Sequence, residues 1–157
     1  MVAKGRANGR GVSVCVVSSV GGHLAEIRSL KGVYEQYQTT YILNCQTTLH
    51  EDMQGRTYFI RHSERDWLFI VNLYEAWKIL RHERPTLLLS AGAGCIVPFA
   101  LVGKVLGIPT IYLESLTNVS TPSLTGIIMY YLADKFLVQW EDMLRRFPRA
   151  IYAGSVR

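Results

Sequence analysis

The stretch VSVCVVSSVGGHL, residues 12–24, decides the fold. Its first seven residues form an apolar run rich in valine with no polar alternation, the pattern of a strand buried on both faces. Two glycines and a histidine follow, and then residues 23–37 place Leu24, Ile27, Leu30 and Tyr34 at helical spacing. Strand, glycine turn and amphipathic helix together open a β-α-β unit.

The same alternation continues along the chain. Residues 39–44 (TTYILN) and 56–62 (RTYFIRH) read as the second and third strands. Residues 66–83 read as a long helix with Asp66 as its N-cap, stopped by Pro85. A fourth strand over 86–90 turns through AGAG into a helix over 95–107, and a fifth strand follows over 109–114. A loop over 115–122, a helix over 123–133, a strand over 134–139, a short helical piece and a last strand over 150–154 complete the chain. The expected fold is therefore α/β: a Rossmann-like parallel sheet with helices on both faces. Residues 1–11 read as a flexible basic tail with no sign of a secretion signal, and 12–157 as a single domain.

Bulk properties narrow the function. The chain has 157 residues, enough for one Rossmann-like unit and too few for two. A net charge of +5 favours anionic partners without choosing among phosphate, nucleic acid and membrane. No nucleic-acid module signature accompanies it. Cys15, Cys45 and Cys95 form no CxxC, and His23, His50, His62 and His82 make no ligand-like spacing with them. Reduced thiols and no metal site are expected. The apolar stretch 91–113 is long enough to span a bilayer, but Pro98, Lys104, Gly107 and Pro109 divide it into a helix and a strand.

In such sheets ligands bind beyond the carboxyl ends of the strands. SVGGH (19–23), SAGAG (90–94) and ESLTN (114–118) all fall at that edge. Glycine there permits positive φ and close approach, and the following helix offers free N–H groups that suit phosphate. Neither turn is a complete dinucleotide or P-loop fingerprint, which leaves a nucleotide-binding Rossmann protein as a lesser alternative. His23 reads either as a structural residue at a helix start or as a base able to take a proton from a hydroxyl. Glu114 reads either as a cap or salt-bridge partner, or as an acceptor for sugar hydroxyls. No Asp-x-Asp pair is present to hold a cation on a nucleotide diphosphate.

The segments SSVGGHLAE (18–26), HSERD (62–66), RPTLLLSAGAGCIVP (84–98), IYLES (111–115), SLTGIIMYYLADKFLVQW (123–140) and AIYAG (150–154) together resemble the acceptor-side subunit of two-subunit glycosyltransferases. That group includes the eukaryotic anchor subunit of the dolichol-diphosphate N-acetylglucosaminyltransferase and the bacterial PssD-type proteins of capsule and exopolysaccharide synthesis. The resemblance covers roughly residues 12–156, and the run over 123–140 is its most specific piece. It implies the N-terminal half of a GT-B enzyme as a separate polypeptide, with the UDP-sugar bound mainly by a partner chain and no further cofactor. It also implies a polyprenyl-diphosphate-linked acceptor and a cytoplasmic protein at the inner face of the membrane. The single-chain relative MurG has similar glycine turns, implicated in holding a lipid diphosphate.

By that resemblance His23 is the candidate catalytic base. Ser19, Gly21, Gly22, Gly92, Gly94, Glu114, Ser115, Asn118 and Ser123 become candidates for acceptor and diphosphate binding. Two departures stand out: the N-terminal membrane anchor of the eukaryotic members is not expected from the residues present, and Asn118 stands in a region where the family commonly has arginine. Trp67, Phe69 and Trp77, on the aromatic helix flanked by arginines, are candidates for membrane contact, the alternative being an ordinary core helix. Gln139 and Trp140 are candidates for partner contact, or belong to a segment packing back on the domain. A non-catalytic accessory subunit that stabilises a separate transferase remains the alternative function.

Overall fold

The computed structural model describes residues 11–44, 53, 56–60 and 68–156. The strands are β1 (Ser13–Ser18), β2 (Gln38–Leu43), β3 (Arg56–Phe59), β4 (Leu87–Ala91), β5 (Thr110–Leu113), β6 (Lys135–Val138) and β7 (Ile151–Tyr152). They form one sheet in the order β3-β2-β1-β4-β5-β6-β7, every pair parallel. The helices are α1 (Gly22–Ser29), α2 (Lys31–Tyr34), α3 (Leu68–Glu83), α4 (Ile96–Leu106) and α5 (Leu124–Leu132), with a 3-10 helix over Glu141–Arg145.

The opening run behaves as its composition dictates. Val14 and Val16 join one core with Leu24 and Ile27 of α1. Cys15 and Val17 join the other, beneath α3, α4 and α5. Burying a valine or leucine in this way contributes about 1.5–3 kcal/mol relative to exposure, so slipping β1 by one residue has no advantage to offer. Burial also pushes the Cys15 thiol well above its usual range and Cys95 to about 12, so both stay protonated. The Rossmann-like expectation therefore holds.

Several boundaries differ from the sequence expectation. The helix expected over 23–37 breaks at Leu30 (φ −89°, ψ 5°), where the Ser29 hydroxyl has already turned back to the Ala25 carbonyl. The second piece, α2, is a single turn that buries Tyr34. The third strand ends at Phe59, and residues 61–62 lie outside the described residues. The last strand shrinks to Ile151–Tyr152, because β6 offers it only Leu137 and Val138 as partners. Residues 1–10, Cys45, His50, His62, Asp66 and Trp67 also lie outside the described residues.

β3 is tied to the end of α3. The Tyr58 hydroxyl and the Arg56 guanidinium both donate to the Glu83 carboxylate, at 2.5 and 2.9 Å. Burial opposes the charge on Glu83, but these two bonds outweigh it and hold the carboxyl below its ordinary range.

The strand order reverses direction between β1 and β4, which creates a crevice at their carboxyl ends. SVGGH and SAGAG are the two loops that flank it.

Candidate functional site

Each loop reaches the crevice for a local reason. Gly21 takes φ +88° and caps α1 through its backbone alone, without a side-chain hydrogen bond. The Asn44 side chain, at the end of β2, accepts from the Val20 amide at 3.2 Å and braces this turn. Gly92 takes φ +67°, and its amide donates to the Leu113 carbonyl at 2.9 Å. Neither α1 nor α4 carries a side-chain cap or an acidic residue in its first turn. Among the described residues no side chain compensates either positive helix end, although the Ile96 and Val97 amides of α4 donate to the Ala93 and Gly94 carbonyls.

The two turns meet through His23. A β-carbon on Gly92 would stand 2.4 Å from His23 Nδ1 and 2.8 Å from Ser115 Cβ. The imidazole thus lies directly on the Gly92 backbone, and only a glycine permits it. By contrast, β-carbons on Gly21 and Gly22 would meet nothing within 4 Å, and one on Gly94 only Thr125 Oγ1 at 3.4 Å. Among the described residues, nothing covers the first turn.

A cleft of about 410 Å³ begins at this point. Gly22, His23, Glu26, Ser115, Thr117 and Val156 are among its lining residues. His23 is half-buried, and its Nδ1 lies 3.9 Å from Glu26 Oε2, one helical turn on. Glu26 was not among the sequence candidates. It is a buried carboxylate that accepts from Ser115 Oγ at 3.2 Å, from the Leu116 amide at 2.7 Å and from Gln139 Nε2. The available signal was its i, i+3 offset from His23, which puts both on one helix face.

The remaining candidates fall into two groups. Ser115 lines the cleft, and Ser19 sits half-buried in the first turn. Glu114, Asn118 and Ser123 form a separate cluster. Glu114 is only 1% exposed; its Oε1 accepts from Ser123 Oγ at 2.8 Å and from Asn118 Nδ2, while Oε2 has no partner among the described residues and lies against Gly126 of α5. Ser123 also caps α5 by accepting from the Gly126 amide at 2.8 Å. Glu114 is therefore covered by α5 and is not among the residues that line the cleft. Burial raises its carboxyl above the ordinary range, against the pull of the Ser123 and Asn118 bonds.

Gln139 and Trp140, the candidates for partner contact, both make contacts within the chain. Gln139 is 2% exposed: its amide nitrogen serves Glu26 and the Glu114 carbonyl, and its oxygen accepts from the Val156 amide. Trp140 is half-buried, with its indole N–H donated to the Leu116 carbonyl at 2.8 Å. This segment packs back and braces the site. On α3, Phe69 is half-buried, whereas Trp77 is exposed together with Ile70 and Tyr74.

A family model described as "Oligosaccharide biosynthesis protein Alg14 like" matches residues 65–156, more than half the chain. The chain belongs to the Alg14 family. The rat protein named UDP-N-acetylglucosamine transferase subunit ALG14 is 29% identical, over 92% of this chain and 83% of that protein. The Kluyveromyces lactis protein of the same name is 44% identical over 46% of this chain and 33% of its own length. Among solved structures, Acinetobacter baumannii MurG superimposes with a TM-score of 0.70 at 15% identity, and Rickettsia bellii UDP-N-acetylglucosamine 2-epimerase with 0.73 at 13%. At these identities the likeness shows the fold alone. This Alg14-family chain covers 83% of itself but 42% of MurG, and 94% of itself but 46% of the epimerase, so it spans less than half of either.

Proposed function

We propose that this chain is the acceptor-binding subunit of a glycosyltransferase. With a donor-binding partner chain, it transfers a sugar from a UDP-sugar to a polyprenyl-diphosphate-linked saccharide, with inversion and without a metal ion. The family supports the transferase assignment, and the curated relatives are named as subunits of a UDP-N-acetylglucosamine transferase. One observation carries the acceptor role. His23 lies against Gly92 at the switch between β1 and β4, beside the N-termini of α1 and α4, neither of which has a side-chain cap among the described residues.

The chemistry follows from that arrangement. The acceptor diphosphate lies over Gly21, Gly22 and Gly94, where backbone N–H groups and the helix dipoles offset its charge. His23 removes the proton from the acceptor hydroxyl as its oxygen attacks the anomeric carbon. The bond from that carbon to UDP breaks, and UDP leaves with the electron pair into the partner's site. The acceptor's lipid tail remains in a bilayer, against which the apolar outer face of α3 would lie.

The test uses membranes that contain the lipid-diphosphate acceptor, supplied with this chain, with the donor-binding chain, or with both. Transfer is expected only with both. A His23→Ala chain is expected to keep the complex but lower kcat by about 10²–10⁴-fold, the usual weight of a general base. Full activity from either chain alone, or normal kcat with His23→Ala, overturns the corresponding part of the proposal.

A further inference from the structure

The cleft holds a second ionisable group whose surroundings give it a role. Glu26 Oε1 is held by the Leu116 amide and by Gln139 Nε2. These two donors come from the chain just beyond β5 and β6, so the carboxylate is fixed by the sheet edge and not by its own helix. Gln139 is itself fixed, by the Glu114 carbonyl and the Val156 amide. Oε2 takes the Ser115 hydroxyl and turns its remaining side toward His23 Nδ1, 3.9 Å away. That nitrogen is buried against Gly92 and has no hydrogen-bond partner among the described residues. A buried ring nitrogen 3.9 Å from a buried, fixed carboxylate is a pair that a small movement of the ring closes. Catalytic hydrogen bonds often tighten only in the loaded complex.

We infer that Glu26 is the positioning residue for His23, acting through Nδ1. The carboxylate accepts the Nδ1 proton and so fixes the tautomer in which Nε2 is unprotonated. Nε2 is the nitrogen left for the acceptor hydroxyl, because Nδ1 faces Glu26 and Gly92. When Nε2 takes the hydroxyl proton, the imidazolium that forms faces a carboxylate that does not itself need to take up a proton. This is the part the aspartate plays in a Ser-His-Asp triad. The inference rests on the proposal that His23 is the base. It also gives Gly92 and Gln139 a shared purpose, one admitting the ring and the other aligning its carboxylate.

Glu26→Gln is the informative variant. Its amide oxygen can still accept from Leu116 and Gln139, and the Ser115 hydroxyl can turn to donate to Thr117 Oγ1 and accept from the new NH₂, so the scaffold is kept. Its NH₂ group replaces Oε2 and donates to Nδ1, which reverses the tautomer. In the two-chain complex Glu26→Gln should lower kcat by at least about tenfold, and as far as ~10⁴-fold, the loss that tautomer reversal causes in a triad. KM for the acceptor and the melting temperature should stay near wild type. In a His23→Ala background the same change should cost nothing further. Glu26→Ala should lower the melting temperature as well, because it strips Leu116 and Gln139 of their acceptor. A Glu26→Gln complex with normal kcat, or one whose loss is equal in both backgrounds, overturns the inference.

¹⁵N spectra of the histidine rings in the intact chain separate this inference from the base assignment. His23 should be the Nδ1–H form in wild type and the Nε2–H form in Glu26→Gln. An Nε2–H wild type overturns the role of Glu26 even if His23→Ala is inactive. The expected tautomers together with an active His23→Ala complex overturn the base and leave the Glu26 contact standing.

Discussion

At the scale of single residues, the glycines of the two turns differ in who requires them. Gly92 is required by its own chain: φ is +67°, and a β-carbon would overlap the His23 ring. Gly92→Ala should cost about 1–2 kcal/mol for the left-handed backbone alone, and it should also displace His23 and lower kcat. Gly22 carries no such demand, since no atom of the described residues lies within 4 Å of its missing β-carbon. Gly22→Ala should therefore leave the melting temperature unchanged or raise it by the equivalent of about 0.5–1 kcal/mol. If the diphosphate approaches this backbone, the same change should raise the acceptor KM several-fold. Thermal melts and acceptor titrations of both variants check the pair; a Gly22→Ala chain with normal KM removes the first turn from the cradle. The sequence showed both turns because glycine is a local signal. It did not show Glu26 or Asn44, because a carboxylate or amide becomes a brace only once strand ends distant in the chain lie beside it. The bracing role of Gln139 was hidden for the same reason: no local pattern distinguishes a buried brace from an interface residue.

At the scale of elements, the N-terminus of α5 rests on a buried carboxylate, and its sign can be worked out. Burial raises the Glu114 carboxyl above its ordinary value of 4.5, while the bonds from Ser123 and Asn118 act the other way. The folded protein thus binds this proton more tightly than the unfolded chain does. The resulting stabilisation is fully present below about 4.5 and is lost as pH rises through the raised folded value. Glu114→Gln keeps an oxygen for Ser123 and Asn118 but carries no charge. It should melt higher than wild type at pH 7, and the difference should shrink toward zero near pH 4; thermal melts across that range check it, and a variant less stable at pH 7 than at pH 4 relative to wild type refutes the account. The strands themselves were legible because buried parallel strands are apolar runs that need no partner to be seen. The break at Leu30 was not, because Leu24, Ile27, Leu30 and Tyr34 keep helical spacing straight through it. The return of Ser29 to Ala25 and the burial of Tyr34 redirect the chain, and neither registers in hydrophobic periodicity.

At the scale of the whole molecule, one face of the sheet carries α3, α4 and α5 as a layer, and the outer side of that layer is apolar as well. On α3, Ala76 and Leu80 face the core, while Ile70 and Tyr74 are 69% and 64% exposed. Lys78 lies over the Tyr74 ring and Arg81 over Trp77. On α5, Leu124, Ile127, Ile128 and Tyr131 are exposed at i, i+3, i+4 and i+7, with Arg149 stacked on the neighbouring Tyr130. The two sequence readings of α3, core helix and interfacial helix, are therefore not exclusive: one helix has an apolar face for each. No helix among the described residues is long and apolar enough to cross a membrane, so contact through this layer would be lateral. Ile70 and Leu124 stand in the first turns of their helices, at the sheet edge that carries the cleft, which would set the site close to the headgroups. The chain should therefore sediment with vesicles containing phosphatidylglycerol, bind weakly to phosphatidylcholine alone, and lose affinity with salt, since each cation near an anionic surface contributes about 1 kcal/mol. Replacing Ile70 and Tyr74 together with aspartate should weaken vesicle binding by about tenfold or more, as two apolar anchors are lost and two negative charges gained. Because both side chains already face solvent, the melting temperature should hold. Equal binding by the double variant, or equal binding to neutral and anionic vesicles, would show that this face does not meet the bilayer.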